Sequence, residues 1–270
     1  MGTAGRLGVN RLRKKAVLEN ARRIGFQPGT IIDVGFAYGT EGLYDGFEDV
    51  PCILIDPVAE AEPAMKAFCE AHPGSAYYVA AASDAPGEVR ILAREGVSGS
   101  SIHVKKAADG EWRTVPAITL DAIVAERRPP KPYLIKLDVE GHELHVLKGA
   151  AAALKDTEMV ILEVSTWAED NTLGRPSLID LFLFMNERGF VFYEFVEPSF
   201  RPIDGALYMF DAVFVKTDSI LRKQRKHKTV EQAAVARQVK AEHAESALAA
   251  PPPPARRRTL LSRLLRPRRR

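Results

Sequence analysis

The sequence lacks two things, a cysteine framework and a long apolar run, and its start is not expected to be a leader. Its 270 residues include only Cys52 and Cys69, without metal-ligand spacing, which leaves neither a disulfide scaffold nor a zinc finger to build on. No apolar stretch approaches the ~18 residues needed to span a bilayer, so a membrane channel is excluded. Met1 to Asn20 is basic but has no 7–15-residue apolar core of a signal peptide, and a cytoplasmic protein is expected. No internal repeat is present. What remains is an enzyme-sized chain, 46% apolar and 27% charged, able to bury one substantial core.

Charge is present but segregated. From residue 221 onward there are 15 Lys/Arg against 3 Asp/Glu, and residues 1–30 carry 7 against 1. The formal total is only +3, so the stretch 31–220 is left at −15. A body that acidic repels phosphate backbones, and nucleic acid is not expected as a partner.

The pattern along the chain divides it into three. Residues 1–29 read as a basic helical lead-in, with Val17, Leu18, Ala21 and Ile24 forming an apolar stripe that ends near Gly25. From Thr30 to residue 217, short apolar runs alternate with helix-compatible segments. Strands are expected at Thr30–Val34, Cys52–Ile55, Ala76–Ala80, Tyr133–Leu137 and Met159–Val164, followed by a pair at Phe190–Val196 and Leu207–Val215. This alternation predicts a parallel sheet with an antiparallel addition at one edge. Glu88–Leu92 and Thr114–Ile118 form either an extra hairpin or a cover over the sheet, joined through the loop Val97–Ser101. Residues 218–270 are a charged helical segment, four prolines at 251–254 and a basic end, expected to be largely disordered.

The sharpest chemistry lies in Asp33-Val34-Gly35-Phe36-Ala37-Tyr38-Gly39, after a strand and before a helix-compatible segment. Glycines there let the backbone turn tightly and approach a ligand, and Asp56 ends the next strand where a carboxylate can take ribose hydroxyls. A dinucleotide fingerprint wants Gly-x-Gly-x-x-Gly, but Ala37 lies between the two glycines and position 40 is Thr. Asp33 repels a pyrophosphate and suits the ammonium of a methionine moiety. The pattern favours S-adenosylmethionine over NAD, with a plain tight turn as the alternative.

The block Ile135-Lys136-Leu137-Asp138-Val139-Glu140-Gly141-His142-Glu143-Leu144-His145-Val146-Leu147-Lys148-Gly149-Ala150 is more specific. Together with the DVGxxxG loop, Thr119-Leu120-Asp121 and the later Ile161-Leu162-Glu163-Val164, it resembles the FkbM family of S-adenosylmethionine-dependent methyltransferases over roughly residues 30–216. The resemblance implies a class I methyltransferase (Rossmann-like) fold, an α/β arrangement with a seven-stranded, mostly parallel sheet and helices on both faces. It implies methyl transfer to a hydroxyl of a sugar, glycan or natural-product acceptor. Asp33, Gly35 and Gly39 carry over as the cofactor loop, Asp56 as the ribose acid, Ser83 as part of the adenine contact, and Asp138 as the acid beside the reactive methyl group. Ala37 stands where members commonly have Asn, which removes one side-chain partner of the cofactor. That departure keeps open an inactive cofactor-binding module, and an NAD-dependent oxidoreductase is the other rival.

Within the block, a buried Lys136 must be paired, and Asp138 points to the same face, either organising site charge or forming a structural ion pair. Glu140 and Glu143 at a helix start complement its dipole. His142, with an unperturbed pKa of ~6.5, is the expected base with Asp138 orienting the acceptor, unless it is a solvent-exposed first-turn residue. His103 is the rival base. Glu163 is a candidate for acceptor hydroxyls or a divalent metal, but two oxygen ligands are too few to argue for magnesium and no metal site is assigned. Trp167 is a candidate for stacking on a sugar or for packing. The basic C-terminus, with Leu260, Leu261, Leu264 and Leu265 on one helical face, is either a weak contact for an anionic membrane or a solubilising tail.

Overall fold

The computed structural model describes residues 12–93, 110–167 and 175–224, together with 234–235 and 237–240. The loop at 97–101, His103 and the basic end at 251–270 lie outside the described residues. The chain divides into two units, Met1–Lys223 and Gln224–Arg270; of the second, residues 234–235 and 237–240 are helical.

The first unit is built around a seven-stranded sheet. In chain order its elements are α1 (Lys14–Ile24), β1 (Thr30–Val34), β2 (Cys52–Asp56), α2 (Glu62–Ala71), β3 (Ala76–Val79), β4 (Ala81–Ala82), β5 (Gly87–Ala93), β6 (Glu111–Ile118), α3 (Leu120–Arg127), β7 (Tyr133–Leu137), α4 (Glu143–Lys148), β8 (Thr157–Ser165), α5 (Leu178–Glu187), β9 (Phe190–Phe200) and β10 (Leu207–Lys216). The strand order is β3-β2-β1-β7-β8-β10-β9, parallel except for β10, which runs antiparallel to both β8 and β9. This is a class I methyltransferase fold, and the order reverses between β1 and β7. The hairpin β5–β6 belongs to a separate three-stranded sheet with β4.

The central strands are predominantly apolar because both faces are covered. Ile31, Leu54, Leu134 and Ile161 point to one face, where α1 lays Val17, Leu18 and Ala21 and α2 lays Met65. Ile32, Ile55, Ile135 and Leu162 point to the other, against Ile123 of α3, Val146 of α4 and Met185 of α5. The lead-in helix is therefore part of the core. One segment differs from its sequence pattern. Residues 40–50, compatible with helix, form consecutive turns, because Gly42 and Gly46 both take left-handed backbone.

Thr119-Leu120-Asp121 has a structural explanation. The Thr119 hydroxyl accepts from Ala122 N and caps α3, while Asp121 Oδ1 accepts from Ala152 N and Ala153 N. The motif thus ties α3 to the segment after α4.

Candidate functional site

The carboxyl ends of β1, β2 and β7 open onto a cavity of about 250 Å³ at the point where the strand order reverses. Val34, Ile55, Val58, Ala82 and Ile91 give it apolar walls, and Asp56, Asp138, Glu140 and Glu163 give it acidic ones. Gly35 is required where the loop crosses β7. A Cβ built there would lie 1.8 Å from the Asp138 carbonyl oxygen, and its φ is +85°. Asp56 fastens the loop from the other side, accepting from Ala37 N at 2.8 Å and from Val58 N at 2.9 Å. Burial raises its pKa from the ordinary carboxylate value against those two bonds.

Beneath the cavity, one face of the sheet carries a row of buried charge. In register, Asp33 of β1 pairs with Lys136 of β7, and Asp211 of β10 pairs with Glu163 of β8. Lys136 is fully buried and donates to Leu137 O at 3.2 Å, Asp138 Oδ2 at 3.3 Å and Asp211 Oδ1 at 3.2 Å. Burial opposes its charge, but Asp138, Asp211 and Glu163 outweigh that and hold its pKa above the usual lysine value. Asp211 also receives the ammonium of Lys14, from the first turn of α1. Asp138 and Glu163 share the cavity wall, and each shifts the other's titration. Burial and the Asp138 charge push Glu163 well above the carboxylate range, while Lys136 overcomes the burial of Asp138 and holds it below. The pair therefore shares one proton near neutral pH, carried by Glu163.

Asp33 lies under the loop, not on the cavity wall. Its Oδ2 accepts from the Thr40 hydroxyl at 2.8 Å and from the Tyr44 hydroxyl, and burial raises its pKa to about 6. His142 does line the cavity, and its Nε2 is 3.0 Å from the Ser83 hydroxyl. Its ring stacks on His145 with centroids 4.3 Å apart. Glu143 is buried at the start of α4 and accepts from Val139 N and Gly141 N, which closes the turn following Asp138.

A second cavity of about 170 Å³ adjoins the first, sharing Glu140 and Glu163 with it. Its other walls include Trp167, Arg175 and Tyr208. The Trp167 indole donates to Leu207 O at 3.1 Å, and the Arg201 guanidinium lies 3.8 Å from the centre of its ring.

Of the residues singled out by sequence, Gly35, Asp56, Asp138 and His142 meet at the first cavity. Asp33 lines none of these cavities and anchors the loop through Thr40 and Tyr44, Ser83 reaches the site through His142, and Gly39 lies on a neighbouring cavity beyond the loop. Sequence reasoning missed Lys14, Tyr44, Arg175 and Asp211. Asp211 left a signal, as the lone charge between Leu207 and Val215 in a strongly apolar strand. Among the described residues no cluster of three or more His, Cys, Asp or Glu could hold a metal ion, and no helix is long and apolar enough to cross a membrane.

The donor set of the first cavity fits S-adenosylmethionine. Asp56 is able to accept from ribose hydroxyls, the apolar walls suit a purine, and anionic Asp138 suits a sulfonium. It does not fit a pyrophosphate. Among the described residues no lysine or arginine lines it, and turns rather than a helix follow the loop, so no N-terminal amides are presented there.

Comparison with known proteins agrees. The profile described as the methyltransferase FkbM domain matches residues 38–192. The hexuronic acid methyltransferase AglP of Haloferax volcanii is 40% identical over 92 residues, a match spanning 30% of this chain and 38% of that protein. Among solved structures, the bifunctional kinase-methyltransferase WbdD is 15% identical at a TM-score of 0.42, covering 76% of this chain and 38% of that one. Magnesium protoporphyrin IX methyltransferase of Synechocystis PCC 6803, with SAM bound, is 12% identical at 0.41, covering 75% and 77%. Similarity at that level carries no part of the argument.

Proposed function

The chain belongs to the FkbM methyltransferase family, and from that premise we propose that it methylates a hydroxyl group of an acidic sugar, free or within a glycan. The carrying observation is the junction of two cavities at Glu140 and Glu163, beside Asp138. One has the donor set for the cofactor, and the other sets Trp167, Tyr208 and the Arg175 guanidinium beside Glu140, Glu143 and Glu163. Bound S-adenosylmethionine supplies an electrophilic methyl group.

Asp56 accepts hydrogen bonds from the ribose hydroxyls with the lone pairs that Ala37 N and Val58 N leave open. Asp138, kept ionised by Lys136, would accept the hydrogen bond of the acceptor hydroxyl, align it, and take its proton at Oδ as the methyl group passes to the oxygen and the sulfonium leaves as a neutral thioether. Glu163, protonated beside it, leaves Asp138 the one negative charge of the pair. Holding the reactants this way can supply ~7–11 kcal/mol of the barrier. The base expected at His142 is moved to Asp138 because the His142 ring is engaged with Ser83, on the side where the resemblance puts adenine.

In the second cavity, Trp167 and Tyr208 offer faces for a sugar ring and Arg175 a planar fork matched to a carboxylate. A carboxylate-bearing sugar is also what the name of AglP specifies for that relative. The test is incubation with S-adenosylmethionine and paired oligosaccharides that differ only in carrying a uronic acid or its neutral counterpart. A 14-dalton gain confined to the uronic acid supports the reading. Equal gain on both overturns the acidic preference, and gain on neither overturns the acceptor class.

A further inference from the structure

Beyond the glycine loop a third cavity of about 290 Å³ shares Gly35, Ala37 and Asp138 with the first. Its remaining walls include Gly39, Thr40, Lys14 and Glu197. Among the described residues that line it, only Lys14 is cationic. It is the first residue of α1, nine-tenths buried, and its ammonium meets Asp211, which Lys136 already neutralises from the other side. The backbone of the same residue is fixed too. Lys14 N donates to Glu197 Oε1 at 3.0 Å, and Glu197 is paired with Arg13 at 2.9 Å. A long side chain held at both ends presents its charge in one place.

The cofactor placement proposed above, on which this inference rests, gives the third cavity an occupant. With ribose at Asp56 and the sulfonium at Asp138, the amino-acid end of the methionine moiety continues past Asp138, over Gly35 and Ala37. That end is a zwitterion, and the cavity it enters offers one cation beside acidic groups. We propose that Lys14 binds the α-carboxylate of the cofactor's methionine moiety, which makes α1 part of the cofactor site.

The charge balance supports this. In the buried row, Asp33, Asp138 and Asp211 outnumber Lys14 and Lys136 by one, and Glu41 and Glu197 add further acid at the third cavity. Without Lys14 the excess in the row doubles, and a bound carboxylate would lie among acids alone. The helix carrying Lys14 lies outside residues 38–192, so the matched region does not include this part of the site.

Two probes separate the contact from a structural role. S-adenosylhomocysteine carries the amino-acid end; 5′-methylthioadenosine lacks it and keeps the ribose and adenine. Calorimetric titration of the full chain should show Lys14→Met weakening S-adenosylhomocysteine roughly 10- to 100-fold, the range for a hydrogen bond to a charged group. Binding of 5′-methylthioadenosine should be unchanged, and Lys14→Arg should keep most of the wild-type preference. Equal weakening of both probes, or of neither, overturns the assignment. Failure of the unsubstituted protein to bind either probe overturns the cofactor reading itself, a result distinguishable from both.

Discussion

Glu143 provides a stability test that depends on no substrate. Its carboxylate is buried at the start of α4, accepting from Val139 N and Gly141 N, and burial pushes its pKa from 4.5 up to about 7, with the nearby Asp138 charge adding to the shift. A raised carboxylate pKa means that the native state holds a proton that the unfolded chain has released. Stability from this group is therefore complete below about pH 4.5 and is lost as pH rises through about 7. The rise corresponds to about 3 kcal/mol at 1.36 kcal/mol per unit. Glu143→Gln keeps an oxygen for both amides and removes the titration. Urea unfolding from pH 4.5 to 8.5 should then show the variant gaining about 3 kcal/mol relative to the wild type across the range, most of it between pH 5 and 7. Asp33 titrates in the same window, also raised by burial, but it is present in both proteins and cancels in the difference. A difference independent of pH would refute the burial argument for Glu143.

Three further outcomes are expected. Asp56→Asn should weaken binding of 5′-methylthioadenosine by ~1.5–3 kcal/mol in calorimetry, since one charged acceptor for the ribose is lost while the amide caps are partly retained. Lys136→Met should destabilise the fold by ~3–5 kcal/mol in urea unfolding, because Asp138 loses its buried cation; adding Asp138→Asn should recover part of that loss, and strict additivity would show the two residues uncoupled. Asp138→Asn should lower kcat by roughly 10²–10⁴, whereas His142→Ala should lose cofactor affinity before kcat, a split that steady-state kinetics reads directly.

The sheet was legible because both its faces are covered. Five short apolar runs, interrupted only by single polar residues such as Asp33, Lys136 and Glu163, are the pattern of strands covered on both faces. The hairpin β5–β6 was legible only as one of two options, because its alternation resembles a cover strand as much as a separate sheet. The first part of the site was legible for a similar reason. Strand ends are visible in sequence, and a carboxylate at the end of a parallel strand lies at the ligand crevice whatever else surrounds it, as Asp56 and Asp138 do. Other residues depended on what no local pattern encodes.

Lys14 is one of several basic residues near the start of the chain, and nothing in its neighbours distinguishes it from Lys15, which pairs with Asp45 at the surface. What separates them is one step around a helix. That step turns Lys14 toward β10 and Asp211, 197 positions away, and leaves Lys15 outside. Asp211, buried in the middle of β10, raises the cost of any arrangement that fails to bring cations to it. Lys136 from the sheet and Lys14 from α1 supply these cations. The same demand for neutrality binds the lead-in helix to the site, so a segment read from sequence as peripheral is held where it can take part in binding.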